Sequence, residues 1–285
     1  MIRPASLRRA GVASAAFVAA ALVLTACAGG TDSGSSEPAA DGSLETVTAG
    51  KLTIATGEPA FEPWVIGDAP ESGEGFESAV AYAVAEELGF AEEDVVWVRT
   101  TFEAAIAPGP KDWDLNLQQF SVTEERKQAV DFSSPYYTTT QAVVTSGDTA
   151  AASATSIDDL KKLAIGVAAG TTSYKIAAAE FGTESLSVFN TNDDVVAALQ
   201  AGQIDALVVD LPSAFYLSAA VLDDGIVVGQ FGDSTGGDEL AFVLPKDSAL
   251  TAPVTEAVDA LDAAGTLKAI ETEWLSESVD VPVLQ

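Results

Sequence analysis

The chain has 285 residues, no histidine and one cysteine, and its 43 acidic against 13 basic residues give a formal net charge of −30. The missing histidine excludes Ser-His-Asp triads, Cys-His pairs and the usual zinc sites, and a single cysteine excludes an internal disulfide. The negative charge repels nucleic acid and anionic lipid, so we expect neither as a partner. Hydrophobic residues make up 48% of the chain, which is enough for one large domain or two modest lobes.

The first 26 residues are predicted to be a lipoprotein signal peptide. Three arginines precede an Ala/Val/Leu-rich run, from about residue 11 to 24, that is too short to span a bilayer. Small residues then lead to Cys27, so we expect cleavage before Cys27 and lipidation of its thiol; the alternative is a secreted protein with an unrelated cysteine there. A diacylglycerol would supply the two acyl chains that stable anchoring needs. The polar segment 27–48 is expected to be a flexible tether.

Strands and helices are predicted to alternate along the next part of the chain. Period-two runs of β-forming residues indicate strands, and apolar residues at helical spacing between Gly75 and Gly89 indicate an amphipathic helix. The order predicts a parallel sheet covered by helices. The predicted elements are strand 51–56, helix 76–88, strand 95–98, helix 102–107 and strand 113–117.

The same alternation begins again after a split around residues 138–153. Ser156 and Thr191 are predicted to cap helices, and Pro212 precedes another. Two α/β units predict two lobes with a ligand cleft at the carboxyl ends of their strands. The predicted elements are a helix from Ser156, strand 163–167, a helix from Gly170 to about 181, strand 186–189, helix 191–201, strand 204–209, a helix after Pro212, strand 239–244, and helices 252–264 and 266–275.

Five segments carry motifs of one known family, in its order, over about residues 52 to 275. They are GFESAVAYAVAEELG at 75–89, WDLNLQQFSVTEER at 113–126, VDFSSPYY at 130–137, GTT at 170–172 and GQIDALVVD at 202–210. The chain thereby resembles the bacterial extracellular solute-binding proteins of family 3, which deliver polar amino acids to ABC importers. Two departures are Ser78-Ala79 in the first motif, expected to affect packing, and the Pro108-to-Lys111 loop, expected at the cleft rim.

The resemblance implies a two-lobed α/β fold of the type II periplasmic-binding-protein kind, with a two-strand hinge. Residues 49–140 and 238–285 would form the first lobe, and 141–237 the second. The implied ligand is a free amino acid, and the implied partners are the permease subunits of an ABC transporter. We expect no cofactor and no metal, a monomer, and contact with the cell membrane only through the N-terminal lipid, outside the cytoplasm.

The resemblance also implies roles for the ends of the ligand. Arg126 would clamp the α-carboxylate, since a guanidinium pairs both carboxylate oxygens, with Ser121 and Thr172 as further donors. Asp210 would receive the α-ammonium group, assisted by Gln119. On local sequence alone, Arg126 could instead be a solvated helix-face arginine, and Thr172 or Asp210 a helix cap.

The remaining candidates concern the ligand side chain. Phe61 and Phe102 match aromatic walls of the family's cleft, although an apolar ring after a strand is more often part of a core. Glu58 lies where some relatives place an acid for a cationic side chain, whereas Gln118 could equally serve an amide. Thr171 belongs to the same motif as Thr172 and is a further candidate.

Three functions are compared on this basis. The first is a lipid-anchored binding protein that captures a polar amino acid for import. The second is an enzyme like the cyclohexadienyl dehydratases, which resemble this family and use a carboxylic acid in the cleft. The third is a sensor ectodomain, which would need a downstream transmembrane helix that this sequence lacks. The residues that suit a zwitterionic amino acid favour the first.

Overall fold

Two β-sheets, each covered by helices, organise the part of the chain that the computed structural model describes. That part comprises residues 44–232, 237–275 and 281–285. The predicted signal peptide, Cys27 and most of the predicted tether lie outside the described residues. Within those residues, no helix has the length and apolar character needed to cross a membrane.

The first sheet has the strand order β2-β1-β3-β10-β4, in which β1 runs parallel to its two neighbours and β10 runs antiparallel to both of its own. Three helices, α1, α7 and α8, cover the core on one side, and the short α2 lies on the other. The bounds are β1 Leu52–Thr56, α1 Phe76–Glu87, β2 Val95–Arg99, α2 Phe102–Ile106, β3 Leu115–Asn116, β4 Val130–Thr139, β10 Asp238–Pro245, α7 Thr251–Ala263 and α8 Thr266–Trp274.

The second sheet has the order β11-β9-β5-β8-β6-β7, with β5 antiparallel to both neighbours. Apolar side chains form a separate core on each face of this sheet. The bounds are β5 Gln141–Thr145, α3 Ile157–Leu160, β6 Ile165–Ala168, α4 Thr172–Phe181, β7 Leu186–Phe189, α5 Asn192–Gln200, β8 Ala206–Asp210, α6 Leu211–Tyr216, β9 Ile226–Phe231 and β11 Val283–Leu284.

Both sheets are mixed, so the prediction of parallel sheets was wrong. The antiparallel pairings involve β4 with β10 in the first sheet and β5 with β9 and β8 in the second. Of β4, β5, β9 and β10, the sequence analysis predicted only β10. Strand β4 gives no alternating signal because its pairing with β10 shifts register twice and its buried residues do not recur every second position. The position of β10 between β3 and β4 depends on a contact across more than a hundred residues, which local patterns do not report.

The chain passes between the sheets three times: after β4, after β9, and again between α8 and β11. It leaves the first sheet at Thr139 and enters the second at Gln141, and it returns between Phe231 and Asp238. Thr140 lies at the first crossing, and its hydroxyl donates to Gln230 Oε1 of β9 at 2.8 Å. This hydrogen bond joins the first crossing to the strand that precedes the second.

Both ends of the described chain depart from the segments assigned from sequence. The Val47 amide, within the predicted tether, donates to Asp114 Oδ1 at 2.7 Å, and Leu44 packs against the first core. Strand β11 pairs with β9 in the second sheet, although residues 238–285 were assigned to the first lobe.

Helix starts follow the chemistry of capping. Ser156 and Thr191 accept hydrogen bonds from the amides of Asp159 and Asp194, as their predicted cap roles require. Gly75 precedes α1 with φ of 102°, and a Cβ there would lie 2.6 Å from the Trp64 carbonyl oxygen. Only glycine fits that approach, which explains the residue type at the position that precedes α1.

Candidate functional site

A cavity of about 190 Å³ lies between residues that follow the strands of the two sheets. The first sheet contributes side chains that follow β1, β2 and β3, and the second contributes those after β6, β7 and β8. This placement at the carboxyl ends of strands is the usual one for ligands of α/β sheets. All ten candidate ligand-binding residues line the cavity: Glu58, Phe61, Phe102, Gln118, Gln119, Ser121, Arg126, Thr171, Thr172 and Asp210.

Arg126 projects into this cavity from a single helical turn and is only 6% exposed. Its Nη1 donates to the Ser121 carbonyl at 2.7 Å, and its Nη2 donates to the Gly170 carbonyl at 3.0 Å. The guanidinium carbon lies 5.2 Å from the centre of the Phe102 ring. Burial lowers the pKa of Arg126, while the carboxylates of Asp238, Glu125 and Asp210 oppose that shift. The side chain is therefore not the solvated arginine that the local sequence allowed.

Two hydroxyls face each other near this guanidinium. Ser121 Oγ and Thr172 Oγ1 are 3.2 Å apart, although they belong to opposite sides of the cavity. The cap of α4 is Thr171, whose Oγ1 accepts from the Tyr174 amide at 3.0 Å and donates to the Ala168 carbonyl at 2.8 Å. The alternative role of Thr172 as the cap is thus wrong, and its hydroxyl faces Ser121 instead.

Asp210 ends β8 and stands before α6, yet its side chain makes no capping hydrogen bond. Its Oδ1 instead accepts from Gln141 Nε2 at 2.6 Å. Burial, followed by the charge of Asp238, raises the pKa of Asp210 to about 7, against the opposing effects of Gln141 and Arg126. Among the described residues no cation forms an ion pair with Asp210, which suits an ionised Asp210 to an incoming positive charge.

Gln141 is a member of this region that sequence analysis missed. Its Nε2 also donates to Asp238 Oδ2 at 2.7 Å, and its Oε1 accepts from Ser173 Oγ at 2.6 Å. The buried amide thereby joins Asp210 to the start of β10 and to the first turn of α4. The only local signal was a glutamine beside a run of apolar β-formers.

Gln119 has a left-handed backbone, with φ of 52°, which is uncommon for a residue other than glycine. Its amide nitrogen donates to Glu77 Oε1 at 2.7 Å, and its side-chain Nε2 donates to Glu77 Oε2. The Tyr136 hydroxyl donates to Glu77 Oε1 at 2.5 Å. Burial raises the pKa of Glu77 to about 7, although these three donors oppose the shift. Sequence analysis quoted the segment that contains Glu77 without giving the residue a role.

Aromatic and polar side chains complete the cavity wall. Phe102 stacks on Phe120 with ring centres 4.7 Å apart, and Phe61 packs partly against the first core. Gln118 donates its Nε2 to Asn116 Oδ1 at 3.0 Å, which leaves its Oε1 as an acceptor. Glu58 is exposed at the rim. The wall thus combines one aromatic face with acceptors.

The two sides of the cavity also touch outside it. Trp64 Nε1 donates to Ser213 Oγ at 2.9 Å, and Lys175 Nζ lies 2.7 Å from Glu125 Oε2. With the bond from Arg126 to Gly170, these contacts join residues attached to different sheets. The described arrangement is therefore a closed one.

Comparison with known proteins identifies the family. The model of the bacterial extracellular solute-binding proteins, family 3, matches residues 52–277. The chain belongs to this family. It is 29% identical over 245 residues to the L-arginine-binding protein of Pseudomonas aeruginosa, covering 83% of this chain and 93% of that protein. It is 28% identical over 212 residues to the arginine-binding extracellular protein ArtP of Bacillus subtilis, covering 71% and 78%.

Solved structures agree with this assignment. An ancestral arginine-binding protein bound to glutamine matches with a TM-score of 0.68 and 27% identity, covering 81% of this chain and 100% of that one. An ancestral amino-acid-binding protein, a precursor of cyclohexadienyl dehydratase, matches with a TM-score of 0.66 and 28% identity, covering 80% and 96%. The predicted two-lobed type II periplasmic-binding-protein-like fold is confirmed.

Proposed function

We propose that this family member captures a free polar amino acid between its lobes and delivers it to the permease of an ABC importer. The observation that carries the proposal is the pair of opposite charges on one small cavity, with Arg126 on one side and Asp210 on the other. An α-amino acid presents the complementary pair, an ammonium and a carboxylate, on a single carbon atom. The names of the relatives, which bind arginine or other amino acids, support the same class of ligand.

The carboxylate would bind at Arg126. The guanidinium supplies a planar pair of donors, and the two facing hydroxyls of Ser121 and Thr172 supply two more. The first turn of α4, a ten-residue helix, adds free amides and the positive end of its dipole. These groups make the Arg126 side of the cavity the anion-binding end.

The ammonium would bind at Asp210. Burial raises the pKa of this carboxyl to about 7, and an adjacent ammonium would lower the pKa by favouring the charged form. The ligand would then contact residues attached to both sheets, so it would bind the closed form more tightly than an open one. Ligand binding would thereby hold the lobes together.

The side chain would extend along Phe61 and Phe102 towards Gln118 and Glu58. Acceptors at the far end favour a side chain that donates hydrogen bonds, either a cation or an amide. Arginine and glutamine are therefore the first ligands to test.

A thermal-shift screen of the L-amino acids, followed by calorimetry of the strongest hits, tests the proposal. A ligand that binds only the folded protein raises its melting temperature in a concentration-dependent way. We expect arginine or glutamine to give the largest shift, and D-enantiomers to give little. A screen in which no amino acid shifts the melting temperature would refute the proposal.

We propose that Cys27 is lipidated and anchors the protein outside the cytoplasmic membrane, where an importer would receive its ligand. The basic start, short apolar run and cysteine support this. Cys27→Ser should move the protein from the membrane pellet to the soluble fraction while leaving amino-acid affinity unchanged. Retention of the variant in the pellet after a high-salt wash would contradict lipid anchoring.

A dehydratase-like enzyme is the second candidate. A cavity carboxyl with a pKa near 7, as at Asp210, is suited to general acid catalysis, and one matched structure is the precursor of such an enzyme. Incubation with prephenate or arogenate separates the two functions. Product formation that disappears in Asp210→Asn would support the enzyme, whereas binding without turnover would support the transporter subunit.

A further inference from the structure

Glu77 is a carboxylate that the proposed function does not use and that the fold alone does not require. It points from α1 into a fully buried position, with 0% exposure, and accepts from the Gln119 amide, from Gln119 Nε2 and from the Tyr136 hydroxyl. None of these three donors is a cation. Burying a carboxylate without a cation is costly, so a neutral acceptor would serve the packing of α1 better.

A carboxylate at position 77 fixes the orientation of the facing Gln119 amide, which a neutral amide would not do. Both of its oxygens are acceptors, so a side-chain amide can face it only with the nitrogen end. Gln119 is turned in this way, with Nε2 on Glu77 Oε2, while its left-handed backbone is held by the bond to Oε1. Since Gln119 lines the cavity, its other end, Oε1, is the one available there.

The Gln119 acceptor lies on the same cavity as Asp210. The charge of Glu77 is close enough to contribute to the raised pKa of Asp210. Glu77 thus adds negative potential to the end of the cavity where a positive group would bind, although it does not itself line the cavity.

We propose that Glu77 is a positioning residue for the α-ammonium group: it turns the Gln119 amide so that an acceptor, and not a donor, faces the ligand. The inference rests on the proposed amino-acid function. It predicts that Glu77 acts mainly through Gln119, and on ligands that carry an ammonium group. Changing Glu77 should not affect how tightly the α-carboxylate binds at Arg126.

The test compares ligands with and without the α-amino group. Calorimetry at about pH 8, where Glu77 and Asp210 are ionised, gives the affinity ratio of L-arginine to desamino-arginine and of L-glutamine to desamino-glutamine. Glu77→Gln should lower this ratio by about tenfold or more, the size expected for a lost hydrogen bond to a charged group. A purely structural defect would weaken both members of each pair equally and leave the ratio unchanged.

Gln119→Gly completes a double-mutant cycle. Glycine accepts the left-handed backbone without strain, so this variant should fold, yet it lacks the acceptor. It should lower the ratio as Glu77→Gln does, and the double variant should lower the ratio little further, by much less than the sum of the two single effects. Ser78→Ala is the matched control, because Ser78 is the buried neighbour of Glu77 on α1 and its Oγ has no partner among the described residues. Its ratio should equal that of the wild type.

The results of these measurements separate failure of the positioning role from failure of the proposed function. An unchanged ratio in Glu77→Gln, or an additive double variant, would overturn the positioning role. If Glu77→Gln does not fold, an unchanged ratio in Gln119→Gly would overturn it equally. Wild-type protein that binds no L-amino acid would overturn the proposed function, and this inference with it. If it binds an amino acid other than arginine or glutamine, the ratio is measured for that amino acid and its desamino analogue.

Discussion

At the scale of single residues, Arg126 and Asp210 are held by different kinds of partner. Arg126 donates to two backbone carbonyls, which fix its guanidinium without neutralising its charge. Asp210 accepts from the neutral amide of Gln141. Both charges therefore remain available in the cavity, and each can be tested by removing it alone.

Arg126→Ala should weaken amino-acid binding by about 2–5 kcal/mol, as for truncation of one partner in a buried charge pair. Arg126→Lys should also bind poorly, because an ammonium cannot form the paired bonds of a guanidinium. Calorimetry measures both, and Lys127→Ala is the control, since Lys127 is exposed and paired with Glu124. Wild-type affinity in Arg126→Ala would remove this residue from the site.

Asp210→Asn should reduce affinity for α-amino acids while leaving the free energy of unfolding close to or above that of the wild type. The amide keeps the shape of the carboxyl but leaves the ligand ammonium without a charged partner, which is costly in a closed cavity. Titration calorimetry with small-angle scattering reports affinity and closure together. Asp223→Asn, an exposed change, is the control. A variant that binds and compacts like the wild type would exclude the bridging role of Asp210.

At the scale of elements, Gln141 is the first residue of β5 and connects three other elements. Its side chain forms hydrogen bonds with Asp210 on β8, Asp238 on β10 and Ser173 on α4. Gln141→Met keeps the volume but leaves these polar groups unpaired. We expect a loss of about 1–3 kcal/mol in the free energy of unfolding, together with weaker ligand binding because Asp210 loses its orientation. Chemical denaturation and calorimetry measure the two effects. Gln128→Met, at an exposed site, should change neither.

The same element scale shows what the sequence could predict. Helices with strong caps, such as those after Ser156 and Thr191, could be predicted from local patterns, and the ten candidate residues proposed from family motifs all line one cavity. Gln141 and Glu77 could not, because their roles depend on distant partners: Glu77 lies 42 positions from Gln119, and Gln141 lies 69 from Asp210. No periodicity reports which buried amide meets which carboxyl.

Strand β4 was not predicted from the sequence for a related reason. Strand β4 carries Pro135 and two register shifts against β10, so its buried positions do not alternate as a strand pattern requires. The motif that covers β4 identified the family without indicating a ten-residue strand. Mixed sheets then follow from β4 and β5 lying next to strands that arrive from much later in the chain.

At the scale of the whole molecule, the two buried carboxyls should give the ligand-free protein an unusual dependence of stability on pH. The pKa values of Glu77 and Asp210 are raised to about 7 in the folded chain, from ordinary values of 4.5 and 3.8. Between those limits the folded state binds more protons than the unfolded state. These two groups therefore make the free energy of unfolding fall as pH rises from about 4 to about 7, and contribute no further change above that.

Glu77→Gln and Asp210→Asn should each flatten this fall, because each removes one of the groups that the folded state protonates more readily. Chemical denaturation of wild type and variants across that range measures the slope, and Asp223→Asn should retain the wild-type slope, since Asp223 is exposed. The remaining acidic groups are shared by the compared proteins, so differences in slope come from the changed carboxyls. Because the charge of Glu77 contributes to the raised pKa of Asp210, Glu77→Gln should also reduce the contribution of Asp210. Saturating amino acid should also reduce the contribution of Asp210, because a bound ammonium keeps that carboxyl ionised to lower pH. Identical slopes in wild type and both variants would mean that neither carboxyl is protonated in the folded protein near neutral pH.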